Sequence, residues 1–295
     1  MARRLDWVVP PQCEGTRVDT LLKKHLGLSG TVVRRIKWLE DGILVDGVRV
    51  NTRFVPRVGQ TLSVRLSDPE RLSGVVPAPG PLDIVYEDED LIVLNKPAGL
   101  SVHPGPGHYS DTLGNFLVHY YEITGQEGDF HPVHRLDRGT SGLLVAAKHP
   151  HAQEQLKNQL HTPAFRRVYL AVCEGTPQPP AGVVDAPLGP VEGSLMAQQV
   201  RPDGKPARTH YQTLKTARGR TLLRLELETG RTHQIRVHMA HLGHPLTGDF
   251  LYGVEDHTLI SRTALHSHEL SFLHPITREA LRFAQPLPED MEGLL

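Results

Sequence analysis

Nine consecutive residues, His134-Arg135-Leu136-Asp137-Arg138-Gly139-Thr140-Ser141-Gly142, gather an imidazole, two guanidinium groups, a carboxylate and a Thr-Ser pair. The apolar run Leu143-Leu144-Val145-Ala146-Ala147 follows at once, so the stretch reads as a polar loop at the mouth of a buried strand. A carboxylate set between guanidinium groups is suited to act as a nucleophile or a base. The alternative is a charged turn in which Asp137 caps a backbone amide and Thr-Ser-Gly supplies ordinary turn chemistry. Eighteen histidines raise a metal reading, His233, His238, His241 and His244 above all. None of these forms an H-E-x-x-H pair, and no carboxylate or thiolate is interleaved at ligand spacing, so no metal is expected.

The elements that must present this loop lie on both sides of it. Residues 82–86 and 91–94 read as two strands around the acidic turn Glu87-Asp88-Glu89-Asp90. The second strand runs into Asn95-Lys96-Pro97-Ala98-Gly99, a turn in which Pro97 fixes its own backbone angle and Gly99 supplies a positive one. Lys96 is a candidate for reaching a phosphate, although shaping the turn is the more economical role. Thr112, Leu113, Phe116, Leu117 and Tyr120 have helical spacing, residues 151–160 read as a polar surface helix, and residues 165–172 as a strand carrying Tyr169. Residues 174–206 are rich in Gly and Pro and are expected to be mostly loop. Residues 207–214 and 221–227 pair as strands. Ile235, Met239 and Leu242 then share a helical face that Gly243 ends, with Arg236 near its start. Residues 265–272 and 280–283 form a closing hairpin across His274-Pro275.

The front of the chain has another character. Val18, Leu21, Leu22 and Leu26 fall on one helical face, and Ser29 is placed to cap a second helix whose apolar side is Val32, Val33, Ile36 and Leu39. Arg34, Arg35 and Lys37 occupy the rest of that helix. Ile43-Leu44-Val45, Asp46-Gly47 and Val48-Arg49-Val50 spell a tight hairpin, and residues 61–66 a last short strand. Residues 1–67 hold 12 Lys and Arg against 6 Asp and Glu, a charge of +6, so with a net charge of -1 the remainder carries -7. From residue 68 to 81 the chain turns to Pro, Gly, Ser and charged residues, the composition of a linker.

Several of these stretches have a family form. The residues 134–142 loop resembles the catalytic signature of the RluA-type RNA pseudouridine synthases, in which an Asp follows His-Arg-Leu and precedes Thr-Ser-Gly. Asn95-Lys-Pro-Ala-Gly-Leu with Val102-His103-Pro104, Tyr169-Leu-Ala-Val, and Arg231-Thr-His-Gln-Ile-Arg with Gly248-Asp249-Phe250-Leu251-Tyr252-Gly253 resemble further segments of that family, in the same order. The front module, two short helices and a small sheet with basic residues on the second helix, resembles the RNA-binding domain first known from small-subunit ribosomal protein four, here termed S-four-like.

The resemblance implies an α+β fold, a pseudouridine synthase sheet that is mixed and largely antiparallel, flanked by helices and loops and preceded by the S-four-like domain. The expected division is 1–67 for that domain, 68–81 for the linker and 82–295 for the catalytic domain. The implied reaction breaks the bond from ribose to a ring nitrogen of uridine and remakes it to a ring carbon, with no cofactor and no metal. Asp137 is then the essential carboxylate, with Arg135 beside it, Tyr169 as the active-site tyrosine and Arg236 as the ion-pair partner of Asp137. Arg34, Arg35 and Lys37 would hold RNA phosphates, which positions RNA without reading its sequence. Large-subunit ribosomal RNA is the first expectation for the substrate and transfer RNA the second. A non-catalytic RNA-binding assembly factor would predict an eroded signature. Metal-dependent phosphodiester cleavage would need a carboxylate-rich site that the sequence does not display.

At 295 residues and 39% hydrophobic, the chain suits a large globular domain plus a small one. Cys13 and Cys173 form no C-x-x-C pair, and the N-terminus lacks the apolar core of a secretory signal. No apolar run approaches the roughly 18 residues a membrane span needs. A cytoplasmic protein acting as a monomer, without a membrane partner, is the expectation.

Overall fold

The computed structural model describes residues 2–67 and 70–295; Asp68 and Pro69, at the head of the expected linker, lie outside the described residues. A ten-stranded sheet forms the body. Its order is Ala181–Asp185, Arg208–Ala217, Arg220–Leu227, Arg166–Glu174, Leu265–Leu273, Ser141–Ala147, Leu91–Lys96 and Ile84–Glu87, while Ala280–Ala284 pairs with Leu265–Leu273 and His131–Pro132 with Ser141–Ala147. Leu265–Leu273 runs parallel to Ser141–Ala147, and the other pairings are antiparallel. The expected mixed, largely antiparallel sheet is what forms.

Both faces of this sheet are covered, which explains the unbroken apolar run after the polar loop. Along Ser141–Ala147, Leu144 and Ala146 face one core with Leu117, Tyr121, Leu223 and Met239. Leu143, Val145 and Ala147 face the opposite core with Ala152, Leu156 and Phe272. The helix Leu113–Ile123 closes the first face, and Thr112 and Asn115 exchange side-chain bonds with each other's backbone amides in a capping box at its start. The helix Pro150–Gln159 closes the second. Gly142 has a φ of 104°, and a Cβ there would stand 2.3 Å from the Ser267 carbonyl oxygen. Only glycine lets the parallel strand approach so closely at the end of the polar loop.

The expectation of mostly loop over residues 174–206 is corrected. Ala181–Asp185 joins the sheet at its edge, and Leu188–Pro190 pairs with Gln198–Val200 in a two-stranded ribbon. Edge strands of three to five residues tolerate the Gly and Pro that hid them. Leu242 is another correction: it is 37% exposed, because the helix Gln234–His241 ends before it.

The front residues build a separate four-stranded sheet, ordered Arg4–Val8, Thr61–Arg65, Ile43–Val45 and Val48–Arg49. Arg4–Val8 is an addition to the elements read from sequence, since its residues lack a clean alternation. The hairpin turn is as read, with φ of 48° at Asp46 and 79° at Gly47, the positive pair that a two-residue turn of this twist requires. Ser29 caps the helix Gly30–Ile36 by accepting the Val32 amide at 3.3 Å. Val18, Leu21, Leu22, Val33, Ile36, Ile43 and Leu62 form a core of their own.

That small core is nonetheless bolted to the body. Arg3 donates to both oxygens of the buried Asp90 at 2.8 and 3.0 Å, and Asp90 also meets His149 at 2.9 Å. Arg65 reaches Glu127 at 2.6 Å, and Gln155 donates to the Gly27 carbonyl. Beyond Pro69 the expected linker is fastened rather than loose: Asp129 accepts the Leu72 and Ser73 amides, and Asn115 donates to the Val76 carbonyl. Burial pushes the Asp90 carboxyl up, but hydrogen bonds from His149 and Arg3 outweigh it and hold the group well below the usual carboxylate range. Because the folded value is depressed, the stability it confers is present above the ordinary carboxylate range and lost only in strongly acid solution. Arg3→Ala is expected to lower stability by about 1.5–3 kcal/mol, the worth of hydrogen bonds to a charged group. Urea unfolding at neutral pH and again in acid would check this, the difference from the parent protein shrinking at the acid end.

Candidate active site

The loop of residues 134–140 is held from below by the turn of residues 95–100. The Gly99 amide donates to the Arg138 carbonyl at 2.8 Å, and the Arg138 side chain donates back to the Gly99 carbonyl at 2.9 Å. Lys96 is wholly buried and gives its ammonium to the carbonyls of Pro97, Leu100 and Arg138 at 2.8, 2.9 and 3.2 Å. Burial lowers it to about 7, against the pull of Asp137. The phosphate role offered for Lys96 is therefore replaced by a structural one, three carbonyls taking its three protons.

Asp137 stands at the junction of two cavities. A groove of about 990 Å³ is lined by Arg135, Arg138, His233, Phe250 and Arg262 among others, and a pocket of about 230 Å³ by Tyr169, Arg167, Leu227 and Leu265 among others; Asp137, Arg135 and Arg236 border both. The structure thus brings together Asp137, Arg135, Tyr169 and Arg236 from three distant segments. Arg135 is exposed at the mouth and forms no ion pair among the described residues. Tyr169 is buried within Arg166–Glu174, where burial raises its hydroxyl.

Arg236 approaches Asp137, Nη1 to Oδ2 at 3.6 Å, but its closest partner is another carboxylate. Nε and Nη2 grip the two oxygens of Asp249 at 2.7 Å each, and Asp249 is 0% exposed. The pairing expected for Asp137 is present as the looser of two contacts. Asp249 also accepts the amides of Leu251 and Tyr252, which fixes the loop that packs Phe250 and Tyr252 against the guanidinium, with ring centroids 5.4 and 5.1 Å from its carbon. Two ligands, a carboxylate fork and an aromatic wall, leave Nη1 facing Asp137.

Asp249, Phe250 and Tyr252 are site residues that the sequence reading quoted within motifs without assigning them a role, and His233 one that it weighed only as a metal ligand and set aside. His233 adopts a left-handed φ of 56° at the N-cap of Gln234–His241, which turns its ring toward Asp137 with Nε2 at 3.9 Å from Oδ2. Its Nδ1 meets the Tyr252 hydroxyl at 2.8 Å, and that hydroxyl accepts the Gln198 amide. Burial lowers the imidazole, Asp137 raises it and Arg236 lowers it again, with a net downward shift. The unassigned strand Gln198–Val200 is thus what steadies the outer edge of the site.

Arg34, Arg35 and Lys37 are placed apart from Asp137, in the front module. Arg34 is exposed and Lys37 lies over the Trp38 ring at 4.8 Å, with Trp38 75% exposed. Arg35 is half-buried, and its charge reaches His131, whose imidazole burial pushes down to about 4. One acidic cluster outside the site, Asp88, Asp90 and His274, has the spacing of a metal nest. Its oxygens are already taken by Arg3, His149, Tyr86 and backbone amides.

Residues 90–241, which span the loop, Tyr169 and Arg236, match the family described as RNA pseudouridylate synthase. The chain belongs to the RNA pseudouridine synthases, isomerases that act on uridine in RNA. It is 41% identical over 92% of its length, and 95% of the other's, to an uncharacterized RNA pseudouridine synthase, YjbO, of Bacillus subtilis. It is also 41% identical over 88% of its length to the ribosomal large subunit pseudouridine synthase D of Yersinia pestis, covering 85% of that protein. Among solved structures, human RNA pseudouridylate synthase domain containing 4 superposes with a TM-score of 0.58 at 27% identity, over 72% of this chain and 91% of that one.

Proposed function

We propose that this protein isomerises particular uridines in large-subunit ribosomal RNA, with Asp137 as the essential carboxylate. The observation that carries the reading is the position of Asp137 at the junction of groove and pocket, within 3.6 Å of a guanidinium that Asp249 already holds in place. A base inside a helix is unreachable, so the target leaves its stack at a cost of a few kcal/mol. Arg135, long, planar and uncommitted, fills the vacated space and hydrogen-bonds the neighbouring bases. The target ring enters the smaller pocket and lies on Tyr169. The choice of ribosomal RNA follows the relatives named for the large subunit, and the buried, free cysteines fit a reducing, cytoplasmic location. Mapping pseudouridines in a strain lacking this protein tests the substrate. Losses confined to transfer RNA would replace it, and an unchanged map of all RNAs would reject the reading.

The front module, residues 1–67, is proposed as an S-four-like RNA holder. Arg34 and Lys37 are its phosphate contacts, and the exposed Trp38 beside them is a stacking surface. Arg35 leans toward His131 and adds charge more than contact. Arg34→Ala with Lys37→Ala is expected to weaken binding of structured RNA and to flatten the log-log salt dependence by roughly 0.7–0.9 per lost phosphate contact. A binding titration across salt concentrations measures the slope, and an unaltered slope rejects these two residues as RNA contacts.

A further inference from the structure

Arg167 is a buried cation without a counter-ion among the described residues. It is 5% exposed and sits two residues before Tyr169 in Arg166–Glu174, so the two side chains leave the same face of the strand and both line the 230 Å³ pocket. Its Nε is buried with no hydrogen-bond partner, and its Nη2 reaches the Thr229 carbonyl only at 3.4 Å. Among the described residues no carboxylate pairs with it, whereas its neighbour Arg166 forks onto Glu226 at 2.9 and 2.8 Å. Opposite stands Gly230, where a Cβ would lie 2.7 Å from Nη1. The chain has left room for this guanidinium and nothing to neutralise it. A buried charge is costly unless paired, and a buried polar atom without a partner calls for an explanation.

The rest of the pocket says what would pair with it. Leu136, Leu227, Ile235 and Leu265 give it apolar wall among polar neighbours such as His161, Arg231 and Gln234, the Tyr169 ring gives it a flat side, and Asp137 stands at its mouth. Backbone phosphates stay in the larger groove, which Arg138 and Arg262 also line. What passes Asp137 into the smaller pocket, onto the Tyr169 ring, is a flat ring, and uracil carries carbonyl oxygens for a fork of N–H donors.

We propose that Arg167 is a further catalytic residue, which binds a ring carbonyl of the target uracil and stabilises the negative charge on the ring while it is detached from the sugar. This rests on the reading of Asp137 and Tyr169 given above. When the bond from the sugar C1′ to ring N1 breaks, its electron pair leaves with the ring and spreads onto the carbonyl oxygens. The ring turns, C5 bonds to C1′ with that charge, and the proton on C5 ends on N1. No oxidant, reductant or co-reactant enters. A guanidinium already buried and fixed in place stabilises such charge without having to reorganise at the moment it forms.

The test uses ribosomal RNA from cells lacking the protein, with single-turnover rate, RNA affinity and melting temperature measured for the parent, Arg167→Gln and Arg167→Ala. The Gln variant is expected to react roughly 10²–10³-fold more slowly, as on losing one donor to a developing anion, with affinity unchanged. Added methylguanidinium should restore much of the rate of the Ala variant. A Gln variant within about fivefold of the parent overturns the proposal, since the expected loss is far larger. So does weakened RNA binding at an undiminished bound rate, which would make Arg167 a phosphate contact. Variants that fail to fold, or that methylguanidinium refolds without reactivating, assign Arg167 a structural role and also overturn it. If the parent leaves the RNA unmodified, or Asp137→Asn stays active, the underlying reading fails rather than this one.

Discussion

Asp137→Asn is expected to abolish pseudouridine formation, with a loss of roughly 10⁴-fold, the upper end of what one positioned acid–base group contributes, and to leave the fold and the RNA affinity nearly untouched. Asn keeps the size of the side chain but has neither the charge nor the basic oxygen that attack or proton removal needs. The fold is insensitive because Asp137 is partly open to solvent and its contact with Arg236 is 3.6 Å, while Arg236 keeps its two 2.7 Å bonds to Asp249. Affinity is insensitive because phosphate contacts dominate it, and an acidic residue adds nothing to those. A tritium-release assay on ribosomal RNA from cells lacking the protein, with a binding titration at fixed salt, measures both. Substantial single-turnover activity in the Asn variant would remove Asp137 from the chemistry.

Asp249→Asn should instead lose stability and activity together. The carboxylate is fully buried and forks onto a buried guanidinium, and breaking such a pair from one side typically costs about 3–5 kcal/mol because the remaining charge is stranded. Asp137, 3.6 Å away and partly open to solvent, only partly neutralises Arg236, Phe250 and Tyr252 cannot, and the amides of Leu251 and Tyr252 lose an anionic acceptor. Nη1 then loses its aim at Asp137, so turnover falls with the fold. Urea unfolding and single-turnover assays of the variant check the two losses. A stability within about 1 kcal/mol of the parent would sink the argument, since a broken buried pair costs several times that.

The contrast between these two aspartates also marks what a sequence discloses. Asp137 was legible because it lies in an unbroken polar loop with its neighbours in chemistry beside it, and the strand that follows announces itself by its apolar run. Tyr169 and Arg236 were legible through motif form, and the pairing of the Asp46-Gly47 turn through its need for two positive φ angles. Asp249 was hidden because its partner is 13 residues away across a helix end, and nothing local distinguishes a carboxylate that will be buried from one that will be solvated. His233 was hidden because its orientation comes from a left-handed backbone angle. Arg167 reads in the sequence as half of an Arg-Arg pair on a strand. Alternation along the strand sends one guanidinium to Glu226 at the surface and the other into the pocket, and only the fold tells them apart.

The strand Leu265–Leu273 has a consequence for the birth of the protein. Among the described residues it is the seam between the half-sheet that carries Tyr169 and the half-sheet that carries Asp137, and it follows both of those residues in sequence. A nascent chain that has already displayed every proposed catalytic side chain still has two unjoined halves, with the edge of Arg166–Glu174 and the Ser141–Gly142 end of Ser141–Ala147 bare. Joining them waits for contacts of long sequence separation, the slow kind. The chain therefore acquires chemistry only once residues 265–273 have joined the two halves, and the edges left open until then are where misassembly would begin.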